Sequence, residues 1–365
     1  MGNIDVISIM GQFETEDTIK EVKPLGNGLI NDTYHVITES CSSPDYVLQR
    51  INNSIFQDVD LLQHNIEVVT AHIRHKLEAA CTADIDRRVL RFIKSHDGKT
   101  YHRDEGGLYW RLMVYIPDSF THEAVTTTSA RDAGKAFGKF EQMLVDVPEP
   151  LGETIPDFHN MELRMRQLRE AVKNDAAGRL DEVRDLVDEL ERDADEMCQA
   201  ERLYREGRLP KRICHCDTKV NNMLFDGEGQ VLCVIDLDTV MPSFVFSDYG
   251  DFLRTSANFT TEDDPDVTHV GFNEEIFKSF TAGYLESARK FLTPIEIDYL
   301  PYAVALFPFM QCARFLADYI NGDTYYKTKY PTHNLDRARN QLALYRDVRR
   351  HDAMMAAYIR DLTMD

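Results

Sequence analysis

Between residues 213 and 238 the chain reads Ile-Cys-His-Cys-Asp-Thr-Lys-Val-Asn-Asn-Met-Leu-Phe, then Asp-Gly-Glu-Gly, then an apolar run ending Val-Ile-Asp-Leu-Asp. No other stretch limits the possible folds so closely. The short β-like runs 223–225 and 231–235 flank a Gly turn and predict a hairpin. Asp217 and Asn222, five residues apart, lie on the loop entering it, and Asp236 stands at the strand end leaving it. A fold that suits this pattern must hold a loop and a hairpin rigidly side by side.

The rest of the chain supplies two kinds of material. Strand-like alternation covers Val22–Leu25, Thr33–Thr38, Tyr46–Ile51, Val89–Ile93 and Tyr109–Ile116. Within that series Asp58–Leu77 has apolar residues at helical spacing. After Pro117 helical patterns dominate, over 129–144, 161–172, 274–290, 294–320 and 335–359. The expected class is therefore α+β. A small N-terminal antiparallel β lobe (1–117) precedes a large, mainly helical C-terminal lobe (118–365). A stripe of Leu180, Val183, Val187, Leu190, Ala194 and Met197 among many charges predicts a solvated helical hairpin arm, with a coiled-coil dimer as the other reading.

Composition narrows the function classes. A formal net charge of −21 disfavours nucleic acid and anionic membrane surfaces as partners. The N-terminus shows no basic, then apolar, leader pattern, and seven scattered cysteines suggest reduced thiols, so the expected compartment is the cytoplasm. Cys214 and Cys216 flank His215 without a second pair at zinc spacing, which predicts buried strand cysteines rather than a metal knot. The expected assembly is a monomer or weak dimer.

Phosphoryl transfer requires a carboxylate near the attacking hydroxyl, metal ligands on the phosphates, and cationic or N–H groups around the charge. The spacing of Asp217 and Asn222 equals that between base and metal-binding Asn in protein-kinase catalytic loops, and Asp236 matches the metal-binding Asp that follows. His215-Cys-Asp-Thr-Lys-Val-Asn-Asn222 and Ile235-Asp-Leu-Asp238 resemble the aminoglycoside phosphotransferase and choline kinase superfamily. That resemblance implies a bilobal protein-kinase-like fold, ATP and Mg2+ as cofactors, Asp217 as catalytic base, and Asn222 and Asp236 as metal ligands. His215 would brace the loop, and Asp238 would be a further metal or substrate contact. Asp248 and Asp251 would serve structure, by capping and by pairing with Arg254, or alternatively contact substrate.

In the small lobe the resemblance makes Gly26, Gly28 and Asn31 a phosphate-covering loop. It puts Arg50 where a lysine is usual, with Glu67 its partner on the following helix or, alternatively, part of a solvated face. Val114 and Ile116 would line an adenine hinge. Longer runs, among them Pro24 to Tyr34, Tyr46 to Asn52 and Arg314 to Tyr326, are similar to bacterial N-acetylhexosamine 1-kinases. This implies a neutral amino sugar as acceptor and its anomeric hydroxyl as the group phosphorylated. Arg314 would contact the acetamido carbonyl or else pair with Asp318, and Tyr326 would face the sugar ring or else pack in the core. Other acceptors (homoserine, choline, an aminoglycoside) keep the chemistry. A nucleotide-binding scaffold without turnover, or an assembly subunit acting through the charged arm, does not.

Overall fold

The computed structural model describes residues 6–15, 18–25, 31–40, 42–122 and 124–364. The chain forms two compact units. One comprises 1–120, 146–156 and 224–241, and the other 121–145, 157–223 and 242–365. The segment around Asp236 thus groups with the N-terminal sheet although it lies far beyond residue 117 in sequence.

The first unit is built on an antiparallel sheet. Its strands β1 (Ile19–Pro24), β2 (Asp32–Thr38), β3 (Tyr46–Ile51), β4 (Phe92–Ile93), β5 (His102–Arg103) and β6 (Tyr109–Val114) take the order β1-β2-β3-β6-β4, with β5 also on β6. Tyr46 and Leu48 of β3 alternate inward with Trp110 and Leu112 of β6 and pack with Met10 of the short α1 (Val6–Met10), as the two-residue period of a half-buried strand requires. Helix α2 (Val59–Ala79) begins where Asp58 accepts the Leu61 N–H at 2.9 Å, and it buries Leu62, Ile66, Val69 and Ile73 at helical spacing.

The second unit is mainly helical. Its elements are α3 (Thr127–Met143), α4 (Met161–Asn174), α5 (Arg184–Met197), α6 (Gln199–Arg205), β7 (Arg212–Cys214), α7 (Phe246–Ser256), α8 (Glu274–Ala288), α9 (Pro294–Asp298), α10 (Leu300–Ile320), α11 (His333–Arg350) and α12 (Asp352–Thr363). The predicted hairpin forms from β8 (Met223–Phe225) and β9 (Val231–Val234), with β10 (Met241–Ser243) after it. Helix α10 is long and apolar enough to cross a membrane, yet 83% of its apolar window is buried within the protein. Helices α3 and α8 approach so closely that a Cβ on Gly134 would lie 2.2 Å from the Phe280 carbonyl oxygen, and one on Gly283 1.9 Å from that of Arg131.

One expectation fails here. The stripe from Val183 to Met197 is not a solvated arm: Val183 and Leu190 are 0% exposed, and α5 packs against α10. Its charged face is tied down too, with Tyr345 bonded to Asp193 and Arg346 to Glu189. An amphipathic period reveals that a helix has an apolar face; it does not reveal what covers it. Leu190→Ala is accordingly expected to cost about 2–5 kcal/mol in denaturant unfolding, where a solvated arm would lose almost nothing.

Candidate active site

The loop after β7 is held from below by a buried carboxylate. Asp248, two residues into α7, accepts the backbone N–H of His215 and of Cys216, each at 2.7 Å, while the Thr218 hydroxyl donates to the Asp248 carbonyl at 2.7 Å. His215 is 0% exposed, edge-on to Phe137 and Phe140, and its Nδ1 accepts the Asp217 N–H at 3.3 Å. Cys216 takes a left-handed φ of 63°, a conformation that bends the chain sharply before Asp217. His215 braces; it does not face solvent. Cys214 and Cys216 are both buried.

Asp217 emerges from this frame with 25% of its side chain exposed. Asn222 donates its amide N–H groups to the Asp217 carbonyl at 2.8 Å and carboxylate at 3.2 Å. Lys219 Nζ lies 2.6 Å from the other carboxylate oxygen. Burial alone would raise the Asp217 pKa, but the charge and hydrogen bond of Lys219, helped by His215 and Asn222, hold it below the usual carboxylate range. Asp217 is therefore ionised at neutral pH. Lys219 in turn stays charged despite burial because Asp217 and Asp251 both attract it. Asp251 also takes a hydrogen bond from Arg254, which reaches Glu262 as well.

The motif spacing assigns no role to Lys219. Its position two residues past Asp217, on a loop rather than a regular strand, is the signal the sequence holds.

In the first unit Asp236 is exposed and left-handed, with φ 59°, and leads into a single turn of 3-10 helix, Leu237–Thr239. That turn is clamped by four elements. Asp238 is 3% exposed; one carboxylate oxygen pairs with Arg111 and the other accepts from Asn31 at 2.8 Å. Its carbonyl accepts from Thr154, and the Val240 carbonyl from Asn65 of α2.

Two sequence-based roles change as a result. Asp238 is a buried anchor rather than a substrate or metal contact, because its carboxylate is closed off from solvent and held by Arg111 and Asn31 within the unit. Asn31 donates to Asp238 and, through its side-chain oxygen Oδ1, accepts the Asn52 N–H at 3.0 Å, so its side chain ties loops together rather than covering phosphate.

Arg50 also departs from expectation. It pairs with Asp32 across the strands, while Glu67 accepts from Thr100. Strand parity explains this: Gln49 lies directly opposite Arg111, and Arg111 bonds both Gln49 and Gln63 of α2. Gln49 and Arg111 thus share the α2 side, and Arg50 points to the other. The cation on the α2 side is Arg111, 2% exposed, which the sequence displayed as the lone charge inside Tyr-Trp-Arg-Leu-Met-Val.

Val114 and Ile116 sit at and just past the end of β6. The Val114 N–H bonds the Arg91 carbonyl, and the Ile116 carbonyl accepts from Ser119. Gly26 and Gly28 lie outside the described residues.

Arg314 and Tyr326 come together in the second unit. The Arg314 guanidinium lies 5.7 Å from the Phe158 ring centroid and 5.6 Å from that of Tyr326, and it donates to Gln311 at 2.7 Å. It does not pair with Asp318, which accepts the N–H groups of Thr324, Tyr325 and Tyr326. The Tyr326 hydroxyl is buried and finds no hydrogen-bond partner among the described residues. Arg164 approaches the same place, its pKa drawn down to about 10 by burial and by the charge of Arg314.

Residues 21–286 match the model of the phosphotransferase enzyme family, and the chain belongs to that family. Among solved structures it is similar to an aminoglycoside phosphotransferase from Alicyclobacillus acidocaldarius. The identity is 15%, with a TM-score of 0.60, over 100% of this chain and 98% of that one. A microcompartment-associated aminopropanol kinase aligns at 16% identity and TM-score 0.58, over 97% and 99% of the two chains. The amicoumacin kinase hAmiN, solved with AMP-PNP, Ca2+ and Ami, aligns at 13% identity and TM-score 0.58, over 94% and 93%. At such identities the likeness concerns the fold, and it agrees with a small antiparallel-sheet lobe followed by a larger helical one.

Proposed function

We propose that this phosphotransferase is a cytoplasmic sugar kinase that moves the γ-phosphoryl group of ATP, with Mg2+, onto the anomeric hydroxyl of an N-acetylhexosamine. Asp217 is the base. It is ionised near neutrality, partly exposed, and fixed by Asn222 and Lys219, so it can accept the hydrogen bond of an incoming hydroxyl in one orientation. An anomeric hydroxyl is more acidic than an ordinary alcohol, and the transition state is loose, so a base of unraised pKa suffices.

Asn222 of the second unit and Asp236 of the first are each proposed as a magnesium ligand, and the donor chemistry of each suits a hard cation. The Asn222 amide nitrogen is engaged by Asp217, which leaves its carbonyl oxygen for a hard cation, and Asp236 offers an exposed carboxylate. When bound, the ion would neutralise phosphate charge.

The observation that carries the sugar reading is the Arg314 cluster. A neutral amino sugar calls for aromatic faces for its C–H side and a cationic donor for its acetamido oxygen. Phe158, Tyr326 and Arg314 supply both, and the unpartnered Tyr326 hydroxyl adds a polar group.

Incubation with ATP, Mg2+ and either N-acetylglucosamine or N-acetylgalactosamine should give a sugar 1-phosphate by phosphorus NMR. Homoserine, choline and an aminoglycoside should stay unmodified. Transfer to one of those three, with none to either sugar, would sink the reading.

A further inference from the structure

Asp248 has a neighbour that the proposed chemistry does not use. Glu141, on α3, is 2% exposed. One of its carboxyl oxygens accepts the Tyr284 hydroxyl of α8 at 2.6 Å. The other, Oε1, is buried and meets no donor among the described residues. Carboxyl oxygens of Glu141 and Asp248 and the Cys214 sulfur all lie within 4.8 Å of one another.

Two ionised carboxylates at that separation, away from water, would repel strongly. One proton between them turns repulsion into a hydrogen bond and satisfies the orphaned oxygen at once. The proton belongs on Glu141. Burial raises the Asp248 pKa as well, but both Asp248 oxygens accept short backbone N–H bonds from His215 and Cys216, and those bonds favour its charged form over that of Glu141. Glu141 has only the Tyr284 hydroxyl.

Two further groups against Glu141 are uncharged, and the Arg212 cation within its electrostatic reach is tied to Glu296. Cys214 of β7 is a thiol whose pKa burial raises well above its ordinary value, and Tyr284 is likewise held neutral. Glu296 of α9 lies near enough to add repulsion, though its own carboxylate is bound by Arg212 of β7. Burial and then Asp248 itself push the Glu141 pKa well above that of a free glutamate.

We propose that Glu141 is a neutral acid that donates a hydrogen bond to Asp248 and thereby positions the loop bearing Asp217. Glu141 is a positioning residue: it touches neither base nor phosphate, and acts on the base through Asp248 and the backbone of His215 and Cys216. The inference is independent of which acceptor the enzyme uses.

Glu141→Gln tests it, since the amide can accept from Tyr284 and donate to Asp248 without a titrating proton. Folding takes up a proton at Glu141 between its unfolded pKa, near about 4.3, and its raised folded value. Stability from this group therefore falls as pH rises through that window. The folding constant of the native chain should lose about tenfold per pH unit relative to Glu141→Gln within it. An infrared band for a neutral carboxylic acid at pH 7 should be present in the native chain and absent from Glu141→Gln.

With Mg2+, ATP and N-acetylglucosamine, ADP release by Glu141→Gln should stay within about threefold of native. Glu141→Leu, which cannot donate, should lose about tenfold or more in kcat with the KM for ATP little changed. A pH-independent stability gap between native and Glu141→Gln, or no neutral-acid band, overturns the proposal even if Glu141→Leu fails to fold or the acceptor proves to be another.

Discussion

Asp217→Asn is expected to lower turnover by about 10²–10⁴-fold while leaving ATP binding intact, because the amide keeps the shape of the side chain but cannot accept the acceptor's proton. Steady-state ADP release in the presence of Mg2+ and N-acetylglucosamine measures the first part; thermal stabilisation by Mg·ATP measures the second. The fold should tolerate the change, since the frame around Asp217 is anchored by Asp248 and His215 rather than by the Asp217 carboxylate. Retention of more than a few per cent of native turnover would remove Asp217 from its assigned role.

A second substitution should act on stability first. Arg111→Leu strips the cation from Asp238, whose carboxylate is almost wholly inaccessible to water. Removal of one partner of a buried pair costs about 3–5 kcal/mol, because the remaining charge has no compensation. Urea unfolding should show that loss. Arg111→Leu combined with Asp238→Leu should recover part of it, since the double change removes both buried charges. Equal losses for the single and double variants would mean that the pair holds the 236–241 segment by shape rather than by charge.

How far the sequence could be read depended on the range of each interaction. The loop-and-hairpin segment was legible because its information is local: loop carboxylate, carboxamide, Gly turn and strand-end carboxylate all fall within the 20 residues from 217 to 236. Helix α2 was placed within two residues because its cap, Asp58, and its apolar period are both written in the chain. Arg50 was misassigned because the choice between neighbouring residues of a strand depends on which face the next layer covers. That is a tertiary fact. The same holds for Asp238, whose role is set by Arg111, 127 residues away, and by Asn31, 207 residues away. The α5 stripe was read correctly as amphipathic and wrongly as solvated, since α10 and α11 cover it from more than 100 residues downstream.

The narrow seam between α3 and α8 has an effect beyond packing. Helix α3 carries Phe137 and Phe140, which flank His215, and Glu141, which abuts Asp248. A single methyl at Gly134 must push that helix off the Phe280 carbonyl. The same push would carry the aromatic walls and the acid away from the loop they support. Damage at a silent, solvent-free glycine should therefore register as lost catalysis before it registers as a lost fold.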